Sequence, residues 1–137
     1  MDSKKLGILG ERVAEKYLLG KGYKILEKNY YKKLSNVSKG EIDIIAKKDG
    51  VISFIEVKAA VVVPEGTPEG TPEDFLPEDR FNFKKQKQLI KLSQIWLLEH
   101  RIPLDSKWQI DVIGISIDIN SKKAKIRHFK NAVEDFY

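Results

Sequence analysis

Apolar residues recur at helical spacing over residues 6–19. Leu6, Leu9, Val13, Ala14, Tyr17 and Leu18 form one stripe, with Arg12, Glu15 and Lys16 away from it, a pattern that predicts an amphipathic helix. Gly20 and Gly22 stop it, and residues 23–30 alternate well enough for a first strand. Two further strand-like runs, 41–46 and 51–58, flank Lys47-Lys48-Asp49-Gly50. Asp-Gly between such runs predicts a hairpin, because both residues tolerate positive φ. A second helix is expected over 82–100, with Phe83, Leu89, Ile90, Trp96 and Leu97 on one side and Pro103 just beyond its end. A β-branched strand over 108–119 and a short one over 125–129 close the pattern. The order αβββαβ with a small trailing strand predicts an α/β fold, a mixed central sheet flanked by helices.

Residues 64–80 read differently: PEGTPEGTPEDFLPEDR carries four prolines and six acids. Proline blocks helix and sheet interiors and the acids repel one another, so a mobile acidic Pro-rich loop is expected at about 60–80. The whole, residues 1–137, has the length of one domain.

Composition narrows the chemistry. There is no cysteine, and the two histidines, His100 and His128, cannot supply a multi-histidine metal site, so oxygen ligands are what remain. No apolar run approaches the roughly 18 residues of a membrane helix, and residues 6–10 are too short for a signal-peptide core. A cytoplasmic location without membrane association is the expectation. The net charge of +5 hides an acidic segment: residues 64–80 sum to −5, leaving +10 on the other 120 residues. A body that basic suits an anionic partner.

The hairpin brings charged residues together. With Asp49-Gly50 as a two-residue turn, Lys48 pairs with Val51 and paired residue numbers sum to 99. Asp43 then lies opposite Glu56 and Glu41 opposite Lys58, all four on one face of the sheet. Directly paired Cβ atoms are about 4.5–5.5 Å apart. Carboxylates that close repel unless a proton or cation sits between them, and a hard divalent ion suits the gap. The alternative is an ordinary hairpin with solvent-facing charges and a surface ion pair. Against it, Glu56 and Lys58 interrupt a run of Val, Ile, Phe and Ala that otherwise reads as buried.

These residues resemble a known family. Asp43, followed thirteen residues later by Glu56-Val57-Lys58, is similar to the Asp…(Asp/Glu)-X-Lys core of the PD-(D/E)XK nuclease superfamily, whose restriction-endonuclease-like core is also αβββαβ. More narrowly, Gly7-x-x-Gly10-Glu11-x-x-Ala14-x-x-Tyr17-Leu18, Gly40-Glu41-Ile42-Asp43-Ile44-Ile45-Ala46, Phe54-Ile55-Glu56-Val57-Lys58 and Ile110-Asp111-Val112 resemble the YraN-like family of endonuclease-like proteins, related to archaeal Holliday-junction resolvases. The resemblance covers most of the chain except residues 59–80. It implies Asp43, Glu56, the Val57 carbonyl and Glu11 as ligands of Mg²⁺ or Mn²⁺, and Lys58 as the residue that orients or activates the attacking water. Glu41 and Asp111 are candidates for a supporting role, with Asp111 alternatively tying down a loop. Related sequences often carry an arginine two positions after the lysine, where this chain has Ala60.

On the second helix Lys84, Lys87 and Lys91 share one face, suited to gripping phosphates or simply solvated. Tyr30 and Tyr31 either stack on bases or cover the core. The expectation is a divalent-metal-dependent nuclease acting on DNA, with branched or junction forms as the substrates the resemblance suggests. Two other readings stay open. One is a non-catalytic nucleic-acid-binding or assembly protein on the same fold; the other is homodimerisation through the exposed face or the Val61-Val62-Val63 segment.

Overall fold

A computed structural model describes residues 2–63, the backbone of 71–72, and 76–133. The elements run α1 (Ser3–Gly20), β1 (Lys24–Lys33), β2 (Lys39–Lys48), β3 (Val51–Val63), β4 (Thr71–Pro72), a 3₁₀ turn (Pro77–Arg80), α2 (Phe83–Glu99), β5 (Trp108–Asp118) and β6 (Lys123–Phe129). The sheet order is β1-β2-β3-β5-β6, with the two-residue β4 added beside the end of β3. Only the β3–β5 and β3–β4 pairings are parallel, so the sheet is mixed and the fold is the expected α/β class with an αβββαβ core. No helix among the described residues is long and apolar enough to cross a membrane.

Each helix covers one face of the sheet. The α1 stripe of Leu6, Leu9, Val13, Ala14, Tyr17 and Leu18 packs on Ile44, Ile55, Ile113, Ile115 and Ile117. Leu89, Leu92, Trp96 and Leu97 of α2 pack on Ile42, Ile45, Ile52, Phe54 and Ile110. This explains why β3 and β5 read as nearly continuous apolar runs: they are buried on both faces. Phe83, placed by its spacing on the buried side of α2, is 55% exposed instead. It is the first residue of the helix and carries the Lys87 ammonium over its ring at 5.0 Å.

Two contacts set how closely α1 and the 3₁₀ turn approach the sheet. A Cβ on Gly10 would lie 2.7 Å from the Ala59 Cβ, so only glycine lets α1 seat on β3 here. A Cβ on Gly114 would collide with the Glu78 carboxylate, which lies across β5 and accepts a forked pair of hydrogen bonds from Arg127 of β6, at 2.5 and 2.9 Å. Of the segment expected to be a mobile loop, residues 60–63 continue β3, 71–72 form β4 and Pro77–Arg80 is a helical turn with Glu78 buried. Residues 64–70 and 73–75 lie outside the described residues. In the segment considered for dimerisation, Val61 and Val62 pair with Ile117 and Asp118 of β5, and Val62 and Val63 with Thr71 and Pro72 of β4.

Candidate metal and phosphate site where two strands part

The hairpin forms as its turn residues require. Asp49 and Gly50 have φ of 51° and 79°, and the β2–β3 rungs run from Lys48↔Val51 to Ile44↔Ile55, every pair summing to 99. There the ladder stops, one rung short of Asp43↔Glu56. In place of that rung the Asp43 carboxylate crosses the gap and accepts the Val57 amide N–H at 2.7 Å. A side chain inserted at this point holds the strands apart, so Glu41 and Lys58 do not pair either. The expected geometry of four charged residues on rungs of one face is therefore corrected. β3 continues with only β5 beside it until β4 joins at Val62, and its freed edge is satisfied by side chains: Asp43 takes the Val57 N–H, and the Arg80 guanidinium donates to the Ala59 carbonyl at 3.1 Å. Buried backbone groups need such partners.

Carboxylates gather at the parting. One oxygen each of Glu11, Glu41 and Asp43 lies within 4.8 Å of the others, all partly buried. Asn29, at φ 54° in an irregular stretch of β1, donates through Nδ2 to both Glu11 Oε1 at 2.6 Å and Glu41 Oε1 at 2.7 Å, tying α1 to β2. Burial pushes the Asp43 carboxyl up to about 9, helped by the Glu56 charge and a hydrogen bond with Glu56, while the Val57 amide pulls the other way. Burial also raises the Glu11 carboxyl above its ordinary value; the Asn29 hydrogen bond opposes this, and the charges of Glu41 and Glu56 add to it. This crowding of like charge in a partly dry site is relieved by a proton or a cation.

Glu56 sits on the other side of the gap. It is 3% exposed, with Lys58 Nζ at 3.2 Å and Lys85 Nζ, from α2, at 3.5 Å. Lys58, two residues along β3, shares its face, as strand alternation requires. Glu56 and Lys58 thus come in from the α2 side, and Glu11 and Glu41 from the α1 side, meeting at Asp43.

The model of the uncharacterised protein family UPF0102 matches residues 10–115. The chain belongs to this family. Its relatives include a UPF0102 protein of Alkaliphilus oremlandii, 39% identical over 95% of this chain and 98% of that protein, and one of Clostridioides difficile, 36% identical over 96% and 99%. Two solved structures are more distantly similar. A protein of unknown function, AF1548, is 20% identical with a TM-score of 0.36, over 82% of this chain and 47% of that one. Pyrococcus furiosus SfsA, solved in complex with Ca²⁺, is 18% identical with a TM-score of 0.36, over 94% and 64%.

The other residues singled out in this UPF0102 chain fall into place unevenly. Glu41 joins the carboxylate group itself. Asp111 is fully buried, bonded to His128 Nε2 at 2.8 Å and to the Asn131 amide at 2.9 Å, and so ties down the turn after β6. Lys84 lines the cleft beside Lys58, whereas Lys87 and Lys91 are exposed outside it. Tyr30 is a core residue donating to Glu99, and Tyr31 is 56% exposed. Spacing along the sequence did not reveal Lys85, Arg80 or Asn29. Only Asn29 left a trace, an asparagine within a strand-like run, where positive φ is comparatively accessible.

Proposed function

We propose that this chain is a divalent-metal-dependent nuclease that hydrolyses phosphodiester bonds in DNA. The observation that carries the proposal is the meeting, at one open strand edge, of three clustered carboxylates with a buried Glu56 already flanked by two ammonium groups. The donor set fits a hard cation: it is all oxygen, without histidine or cysteine, and its Glu11 and Asp43 carboxyls are raised above their ordinary values, chiefly by burial. Asp43, Glu11 and Glu41 would hold Mg²⁺ or Mn²⁺, with Glu56 and the Val57 carbonyl completing the ligand set. Such an ion supplies Lewis-acid polarisation of the phosphodiester and lowers the pKa of water.

The chain's own residues do the rest. Lys58 orients the attacking water and offsets negative charge that builds on the phosphoryl oxygens. Asn29 and the Val57 amide hold three carboxylates at fixed positions before substrate arrives. In-line attack of water on phosphorus breaks the bond to the 3′ oxygen and leaves a 5′ phosphate. Branched and four-way-junction DNA are the substrates to test first.

The decisive experiment is a cleavage panel with Mg²⁺ or Mn²⁺ on single strands, duplexes, flaps and four-way junctions. Cleavage of at least one substrate, abolished by Glu56→Ala and by Lys58→Ala in folded protein, is the expected outcome. Undiminished cleavage by Glu56→Ala would sink the assignment. Failure on every substrate with DNA binding intact would favour the non-catalytic binding protein instead.

A further inference from the structure

The first turn of α2 is charged against its own dipole. Asn82 caps the helix by accepting the Lys85 amide N–H at 2.9 Å, and no acidic residue follows in the turn. Helix N-termini carry partial positive charge and favour anions and acidic side chains, yet Lys84 and Lys85 stand there. Lysines at the positive end of a helix favour an anion beside them; Glu56 stands 3.5 Å from the Lys85 ammonium. Lys84 and Lys85 open, with Lys58, Arg80, Asn82 and Gln88, onto a cleft of about 230 Å³. The cleft adjoins Glu56, which Lys58 and Lys85 both approach.

Arg80 reaches the same cleft by a separate route. Its guanidinium donates to the Ala59 carbonyl on the open edge of β3. The turn that carries it is clamped by buried Glu78, held by Arg127, which also donates to Ser116 at 2.8 Å. A cation is thereby fixed beside the open edge of β3.

We propose that Lys58, Arg80, Lys84 and Lys85 form a backbone-phosphate subsite for nucleic acid, next to the carboxylate group and on the α2 side of the gap. It deepens the nuclease reading and rests on it for why a phosphate is held beside carboxylates. The helix N-terminus, three ammonium groups and a guanidinium converge there, and Asn82 and Gln88 supply neutral polar atoms at the rim. Recognition is of the phosphodiester backbone and carries no base preference.

The test is fluorescence anisotropy of the full chain with a labelled DNA duplex in EDTA, where cleavage cannot interfere, from 50 to 300 mM salt. Each lost phosphate contact lowers the slope of log K against log[salt] by about 0.9, which is roughly a fivefold loss of affinity near 0.15 M. Lys84→Ala and Lys85→Ala should each show this and together lower the slope by about twice as much, while Lys85→Arg keeps it. Lys123→Ala, exposed on β6, removes the same charge elsewhere and should change the slope by far less. Where Arg80→Ala lowers the melting temperature, Lys84→Ala, whose side chain is exposed, carries the test. Unchanged slopes in Lys84→Ala and Lys85→Ala, or an equal fall in Lys123→Ala, overturn the subsite. A same-sequence RNA duplex separates the sources: a matching fall assigns the phosphate to either nucleic acid, a fall with DNA alone to DNA. Failure of the nuclease reading looks different, namely no metal-dependent cleavage while the lysine-dependent slopes persist.

Discussion

Replacing Asp43 by asparagine should stabilise the metal-free protein. The carboxyl is pushed to about 9 from an ordinary 3.8, chiefly by burial and then by Glu56. Between those two values the folded chain holds a proton that the unfolded chain has lost. Stability therefore falls as pH rises through that window, at up to about 1.4 kcal/mol per pH unit. Asparagine is the same shape and cannot ionise, and its carbonyl oxygen still accepts the Val57 N–H. Lys58 and Lys85 beside Glu56 already offset part of the crowding. We take about a third of the full slope, a gain of about 2 kcal/mol at pH 8, which corresponds to roughly 5–10 °C in melting temperature for a chain of this size. The assay is thermal unfolding followed by circular dichroism in EDTA at pH 6, 7, 8 and 9. The variant should melt above the parent, with the gap widening as pH rises. Adding millimolar Mn²⁺ should raise the parent's melting temperature and leave the variant's nearly unchanged, because only a native-state ligand set stabilises by mass action. A variant that melts at or below the parent at every pH, or a gap that narrows with pH, would refute the idea that uncompensated carboxylates crowd this gap.

Four other outcomes follow from the packing. Arg127→Ala leaves the buried Glu78 carboxylate without its forked partner and should cost about 3 kcal/mol in denaturant unfolding. Burial pushes Glu78 up, but the Arg127 hydrogen bonds outweigh it and leave the carboxyl below its ordinary 4.5. Its contribution is thus complete above pH 4.5 and is lost as pH falls through the lowered value, so the gap between parent and Glu78→Gln should close in acid. Gly10→Ala should destabilise by about 1–3 kcal/mol through overpacking against Ala59, and Ala59→Gly in the same chain should recover most of it. Gly50→Ala, at φ 79°, should cost about 1 kcal/mol and slow nothing at the carboxylate group, since the register is also held by five rungs, two of them the apolar pairs Ile44↔Ile55 and Ile45↔Phe54.

Local pattern made the elements legible. The period of 3.6 in α1, the double-sided apolar runs of β3 and β5 and the Asp49-Gly50 turn each report a short-range preference, and the register followed from the turn alone. The candidate carboxylates on β2 and β3 were visible for the same reason: charges inside apolar runs stand out without any knowledge of the fold.

What lay beyond the pattern was where the ladder ends and what enters the gap. That Asp43 takes the Val57 amide where the ladder ends depends on a side chain competing with a backbone rung, which spacing along the chain does not encode. Lys85 lies 29 residues from Glu56 in the chain, and Arg80 is 21 from Ala59; their meetings are set by how α2 and the 3₁₀ turn dock, through Glu78 on Arg127. By itself the sequence determined the α/β class, the hairpin and the acids that sit on it. The tertiary structure decided that those acids surround an open strand edge and that the opposite wall of that edge is cationic, because contacts between distant segments are specified by shape and burial and not by spacing along the chain.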